Sequence, residues 1–327
     1  MLVAVTGASG HIGNVVCRRS LAEGHRVRAL VRDDKRALAG LNVDLVQGDV
    51  LELSDLLRLC EGCDAVVHCA AIISVDPDPA GRVFHTNTQG ALNVHAAAMA
   101  CGVRRMVYIS SVHAVTELPH ELPYDETRPY KTAADGPYDL SKATAEQQLL
   151  ALVDNVGPEV VVLRPSAALG PFDTKPSKLG AALIDLYRGK VPVVPAGGYD
   201  LVDVRDVARS VVAAITHGRN GEVYLLSGKY CTLVELARTI ERVTGRRMPG
   251  RVLSFGVLTF LLPLVRAWAW FTRSAPSFTK GAIDALRKGH PRMDSTKAQR
   301  ELGHSSRPLE ESVRDFYTWQ KEAGTIT

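Results

Sequence analysis

Cysteine is scarce and scattered in this chain. Six thiols, at positions 17, 60, 63, 69, 101 and 231, are spread over 327 residues, too thinly for a disulfide scaffold. Cys60 and Cys63 form a CxxC, but no second pair with finger-like spacing follows, and a structural zinc needs four ligands. No metal is expected, and the thiols read as small buried side chains. An excess of one charge is lacking too. Lys and Arg total 39 against 35 Asp and Glu, a formal charge of +4. The basic pairs Arg18-Arg19, Arg104-Arg105 and Arg246-Arg247 stand far apart, and no run of five basic residues exists, which argues against a nucleic-acid binder. No repeat at 20–50 residues and no low-complexity tract is visible. The chain opens on apolar Met1-Leu2-Val3-Ala4-Val5, without a basic n-region or cleavage site, so the expectation is a cytoplasmic protein.

Long hydrophobic runs are also missing. The longest, VLSFGVLTFLLPLV over 252–265, has 14 residues and is followed by Arg266 and the aromatic Trp268, Trp270 and Phe271. A bilayer span needs roughly 18–20. Two expectations remain for 252–271: a buried segment lining a pocket for an apolar molecule, or a surface that touches lipid and makes the protein membrane-associated. What the chain does have is 46% hydrophobic and 23% charged residues, the balance of a globular protein with a sizeable core. Its length suits one or two domains.

The first 165 residues alternate strand and helix. Apolar, β-branched runs at 2–7, 26–31, 43–49, 64–71, 104–111 and 160–166 are separated by helical stretches at 12–22, 51–59, 84–100 and 138–152. Continuous apolar strands with helical crossovers predict a parallel sheet covered on both faces. Past 166 the alternation decays into Pro- and Gly-rich loops. A late strand is expected at 222–227, a helix opening with a capping box at Thr232 and Glu235 and stopping at Gly245, and a final amphipathic helix after Pro308. Domain 1–166 is therefore expected to bind a nucleotide, with 199–228 rejoining its sheet. Most of 167–327 forms a smaller, discontinuous cap.

The first strand runs into Thr6-Gly7-Ala8-Ser9-Gly10-His11-Ile12-Gly13. Gly7 permits a tight turn, Gly10 lets backbone approach a pyrophosphate, and Gly13 packs helix on strand. The free N–H groups that follow face an anion. The second strand ends on Val31 and Arg32, with Lys35 close behind, where an acid would select NAD. A guanidinium there pairs with a 2′-phosphate, which favours NADP(H) and leaves NAD(H) as the alternative. Asp49 and Val50, after the third strand, sit where a carboxylate reaches the adenine.

Tyr138 and Lys142 are four residues apart on a helix and so share one face. A neighbouring ammonium favours the phenolate and makes a tyrosine a better acid–base group. Upstream, Ser110-Ser111 ends a strand, and a parallel sheet gathers strand ends beside helix starts. A hydroxyl there holds a carbonyl oxygen while the tyrosine donates its proton.

In this order, TGASGHIG, the Asp49 turn, VVHCAA, ISS, YDLSK, LRPSAALGP and YDLVDVRDVARS resemble the extended branch of the short-chain dehydrogenase/reductase superfamily. They are most similar to dihydroflavonol-4-reductase-like and 3β-hydroxysteroid-dehydrogenase-like proteins and to epimerase/dehydratase relatives. The likeness covers residues 1 to about 210 and is loose beyond Cys231. It implies an α/β, Rossmann-like doubly wound parallel sheet with a substrate-binding cap, and an oxidoreductase activity. It further implies that Ser111 polarises the carbonyl, Tyr138 is the acid–base, Lys142 binds the nicotinamide ribose, and Asn87 supports a proton relay. Cys69, Ala70 and Ala71 would lie along the cofactor, Pro165 and Ser166 would face its carboxamide, and His11 would line it. Relatives place the serine a residue apart, so Ser110 stays open beside Ser111. His113 reads either as a loop residue without chemistry or as a side chain that enters the pocket.

The expected reaction is NADP(H)-dependent interconversion of a carbonyl and a secondary alcohol on a bulky apolar substrate. A nucleotide-sugar epimerase would need a polar, basic cap, and a dehydratase an acid beside the serine, where Val112, His113 and Ala114 stand instead. A non-catalytic NADP-binding sensor would typically lack the tyrosine or the lysine. A homodimer through the Ala-rich helices 84–100 and 138–152 is open.

Overall fold

The computed structural model describes residues 1–74, 78–153, 156–260, 283 and 286–327. Seven parallel strands form the central sheet: β1 (Leu2–Thr6), β2 (Arg26–Val31), β3 (Asp44–Gln47), β4 (Ala65–His68), β5 (Arg105–Ile109), β6 (Glu159–Pro165) and β10 (Val223–Leu226). Their spatial order is β10-β6-β5-β4-β1-β2-β3. The direction of winding reverses between β1 and β4, and in open sheets of this kind ligands bind at that reversal, outside the carboxyl ends of the strands.

Alternation along the strands feeds two separate cores. Val3, Val5, Val67, Val107, Ile109, Val161 and Leu163 pack on one side, with Val15 and Val16 of α1 (His11–Ala22) and Val207 and Val211 of α6 (Val204–His217). Ala4, Val66, Met106, Tyr108, Val160 and Val162 pack on the other, with α2 (Leu53–Cys60), α3 (Arg82–Ala100) and α4 (Pro137–Ala151). Buried on both faces, such strands carry no polar alternation, which is why they appear as unbroken apolar runs. Each fully buried Val or Leu is worth about 1.5–3 kcal/mol.

The second half leaves the sheet and returns. A three-stranded sheet joins β7 (Ala167–Leu169), β9 (Gly198–Asp203) and β11 (Lys229–Thr232), with β9 central, parallel to β7 and antiparallel to β11. It packs with α5 (Lys178–Tyr187), α7 (Leu233–Thr244) and α9 (Leu309–Glu322) around Leu183, Ile240, Phe316 and Tyr317. The capping box of α7 is present: Thr232 Oγ1 accepts from Glu235 N at 3.1 Å and Glu235 Oε2 accepts from Thr232 N at 2.9 Å. Gly245 stops that helix at φ +71. The helix α8 (Thr296–Leu302) lies against α6 and β10.

Within 252–271, β12 (Val252–Leu253) pairs with β8 (Val194–Pro195), and residues 255–260 are helical. Leu258 is buried, but Phe260 is 79% exposed, so of the two expectations for 252–271 the buried pocket lining is not met at Phe260. Residues 261–271 lie outside the described residues. Among the described residues, no helix is long and apolar enough to cross a membrane.

Candidate active site

The carboxyl ends of β1, β4, β5, β6, β2 and β3 bring six loops to one edge of the sheet, and nearly every candidate residue falls on them. Gly7 adopts φ +66, and a Cβ on it would lie 2.5 Å from Ala70 N. The Cys69–Ala71 turn after β4 is therefore pressed onto the turn after β1. At Gly13 a Cβ would meet Gly7 O at 2.2 Å, so helix α1 seats directly on the loop. Gly10 caps α1 without a side-chain hydrogen bond. The first N–H groups of α1 thus have no side chain competing for them, and a pyrophosphate fits there. Ile12 packs against the core below. His11, expected to line the cofactor, also holds a second segment of the chain. Its Nε2 is 3.0 Å from Pro171 O, which ties α1 to the chain leaving β7.

At the other end of the crevice, Arg32 is exposed and lies 3.8 Å from Asp49. Asp49 Oδ1 accepts from Leu51 N at 3.0 Å. Lys35 is exposed at the start of a short turn, while the neighbouring Arg36 is occupied by Asp34 at 2.7 Å. Val50 is buried against Gly90 of α3. Pro165 closes β6, and Ser166 N donates to Leu226 O at 3.1 Å, placing that turn beside β10.

Tyr138 and Lys142 lie in the first two turns of α4, which starts with Pro137 at its favoured first position. Ser111 follows β5, with its hydroxyl near enough to the Tyr138 phenol to favour the phenolate. Burial pushes the phenol up to about 12, with Ser111 opposing that rise. Lys142 Nζ donates to Ile109 O at 2.8 Å and stands 5.0 Å from the Tyr108 ring. Burial lowers its ammonium to about 8, against the pull of Cys69 and Glu146.

The choice between the two serines turns on Glu146, one turn after Lys142. Ser110 Oγ donates to Glu146 Oε2 at 2.6 Å. The same carboxylate accepts from Tyr130 OH at 3.0 Å and from Arg164 at 2.5 Å, with both ion-pair partners buried. Ser110 is committed to that network, and Ser111 is the hydroxyl left facing Tyr138. Glu146 and Arg164 went unnoticed in the sequence. Their signal was a lone arginine in the apolar strand VVVLRPS and an acid four residues past Lys142.

Asn87 is buried in α3. Its Nδ2 donates to Ile72 O at 3.0 Å and to Ser141 Oγ at 2.9 Å, and its Oδ1 accepts from Ile72 N at 2.8 Å. Ser141 in turn donates to Tyr138 O at 2.7 Å. Asn87 therefore clamps the loop after β4 to the first turn of α4. Among the described residues it makes no hydrogen bond to the Tyr138 or Lys142 side chains. His113, one of whose two readings placed it in the pocket, has its ring centroid 6.2 Å from that of Tyr138.

A glycine loop open to a pyrophosphate and a Ser–Tyr–Lys set on adjoining strand ends suit a nicotinamide dinucleotide. Such a group, when bound, carries the hydride that carbonyl–alcohol chemistry requires. Comparison with known proteins agrees. The model of the NAD dependent epimerase/dehydratase family matches residues 3–227. The chain is 32% identical over 335 residues to sterol demethylase protein B of Methylococcus capsulatus, with all of both chains covered. It is 30% identical to a putative dihydroflavonol 4-reductase of Synechocystis, covering 98% of this chain and 95% of that one. The solved UDP-glucose 4-epimerase of Thermotoga maritima shares the fold at a TM-score of 0.80, with 22% identity and 98% and 99% coverage. The chain belongs to the NAD dependent epimerase/dehydratase family, the extended branch of the short-chain dehydrogenases/reductases, and is an oxidoreductase of that family.

Proposed function

We propose that this protein interconverts a carbonyl and a secondary alcohol on a bulky, apolar substrate, with NADP(H) as its dinucleotide. The observation that carries the chemistry is the placing of the Ser111 hydroxyl beside the buried Tyr138 phenol, with Lys142 on the same helix face. Tyr138, held as a phenol, donates its proton to the carbonyl oxygen as Ser111 holds that oxygen, and takes a proton back in the reverse direction. Lys142 would bind the nicotinamide ribose, and its charge would draw the phenol toward phenolate.

The choice of NADP(H) rests on Arg32. It follows β2 where an acid would accept the ribose hydroxyls, and among the described residues its one charge partner is the partly exposed Asp49, 3.8 Å away. Arg32→Ala is expected to weaken NADPH binding about tenfold or more and NADH binding little, read by titrating cofactor fluorescence. Equal loss for both would show that Arg32 does not meet a 2′-phosphate. The apolar substrate is supported by the names of relatives, which include a 3-beta-hydroxysteroid dehydrogenase of Mycolicibacterium neoaurum at 28% identity.

The direct test offers NADPH with steroid, terpenoid and aromatic ketones and follows absorbance of the reduced nicotinamide. At least one ketone should be turned over, faster with NADPH than with NADH. Tight NADPH binding without turnover of any carbonyl would point to a non-catalytic sensor. Inversion of a nucleotide sugar without net cofactor oxidation would point to an epimerase.

A further inference from the structure

Beside Tyr138 lies a cluster of four ionisable side chains that the proposed chemistry does not use. His113 sits in the short turn Val112–Ala114, and its backbone N–H donates to Ser111 Oγ at 3.1 Å. Its Nδ1 is 3.6 Å from Glu117 and 3.7 Å from Asp139. Lys131 Nζ reaches both carboxylates at 2.6 Å. Side-chain exposure falls inward through the cluster: 36% for His113, 19% for Asp139, 10% for Glu117 and 2% for Lys131. The imidazole is the outer end, and a molecule seated at Tyr138 meets it first.

The inner groups are already matched. His113, Glu117 and Asp139 have ligand atoms within 4.8 Å of one another, but the Lys131 ammonium already sits on both carboxylates that a cation would need and offsets one of their charges. Its burial between two acids fixes them in place, since separating either would strand a buried charge. Two carboxylates facing Nδ1 favour the tautomer with its proton there, which leaves Nε2 as an acceptor. Among the described residues, Nε2 has no hydrogen-bond partner. Displacement of water holds the imidazole below its ordinary value, although Asp139 and Glu117 pull the other way. With a neutral imidazole, one ammonium stands against two carboxylates, a net charge of minus one. Lys288, the other cation acting on His113, lies 3.9 Å from Asp135.

We propose that His113 is a specificity residue: its Nε2 accepts a hydrogen bond from a neutral hydroxyl that the substrate carries within two or three bonds of the reacting carbonyl. A carboxylate in that place would face an acceptor nitrogen and a net negative cluster, so acids are disfavoured. This deepens the carbonyl–alcohol reading and rests on it.

The test compares two ketones of one skeleton, with and without the neighbouring hydroxyl, in NADPH-dependent turnover. The wild type should favour the hydroxyketone by about tenfold in kcat/KM, the scale of one hydrogen bond. In His113→Leu that ratio should collapse toward one, and His113→Gln, which keeps an acceptor, should restore part of it. An unchanged ratio in His113→Leu would overturn the proposal. So would an equal loss on both ketones, which is the mark of a purely structural role. The same comparison is made without turnover by thermal shift, with the matching diol and mono-alcohol added to NADP⁺-loaded protein. Loss of the diol's advantage in His113→Leu supports the proposal, and its persistence overturns it. Tyr138→Phe separates this failure from that of the parent reading: full turnover in that variant removes the chemistry, whatever His113 does.

Discussion

At both Tyr138 and Lys142 burial is the first cause of the pKa shift, and it acts against the charged form of each. With the phenol pushed up to about 12, the protonated tyrosine dominates at neutral pH, the form that reduction of a carbonyl needs. Tyr138→Phe is expected to bind NADPH normally while turnover falls by about 10²–10⁴-fold. Near-normal rates in that variant would remove Tyr138 from the chemistry. Lys142 carries a cost in stability. Its folded value, lowered from 10.5 to about 8, means that below pH 8 the fold must hold a buried ammonium that the unfolded chain would solvate. Between about 8 and 10.5 the unfolded chain binds the extra proton, so stability from this group rises with pH and levels off above that window. Lys142→Met should therefore raise stability at pH 7 by on the order of 2–4 kcal/mol, at about 1.4 kcal/mol per pKa unit. The gain should disappear near pH 11, measured by denaturant unfolding at both pH values. Absence of a gain at pH 7 would mean that the ammonium is better solvated than its surroundings suggest. In the wild type, reduction should hold steady from pH 6 to about 8 and decline above as Lys142 loses its charge.

At the scale of elements, helix α1 and strand β1 meet with no room for a side chain. A Cβ on Gly13 would press on backbone of Gly7, which cannot swing aside as the end of a flexible side chain can. Gly13→Ala should lift α1 off the loop, lowering stability by about 1–3 kcal/mol and weakening NADPH and NADH alike. Cofactor titration alongside thermal unfolding reads both effects, and unaltered affinity would show that the seat of α1 does not shape the pyrophosphate site. Helix α4 binds two tasks into one element. Its first two turns hold Tyr138 and Lys142, and the next holds Glu146, whose ion pair with Arg164 of β6 locks the helix to the sheet.

For the molecule as a whole, the division is between a seven-stranded sheet with its helices, closed around two apolar cores, and a three-stranded sheet with a core of its own. Phe260 is the largest apolar side chain that the described part of 252–260 turns outward. Phe260→Ser is expected to leave KM for apolar ketones unchanged. If the surface meets lipid, the same change should cut sedimentation with phospholipid vesicles about tenfold, since burying an apolar side chain of this size is worth roughly 1.5–3 kcal/mol. A raised KM with unchanged sedimentation would instead return Phe260 to the substrate.

Pattern and spacing alone determined the parallel sheet, the glycine loop and the pairing of Tyr138 with Lys142. Each depends on contacts between near neighbours in the chain or on a period that any strand or helix imposes. Unbroken runs such as VVVLRPS announce burial on both faces, and TGASGHIG announces a turn whose glycines stand where side chains have no room. Only the tertiary structure decided which serine faces Tyr138, because Ser110 is tied to Glu146, 36 residues away, while Ser111 accepts from its neighbour His113 and lies beside the phenol. It alone put His113 beside Tyr138 and set Glu117, Lys131 and Asp139 together from a loop and a helix start. It alone turned Asn87 into a clamp on Ile72 and placed β9 at the centre of a second sheet. Partners so far apart in the chain leave no period behind, and their choice is made by the packing of the elements that carry them.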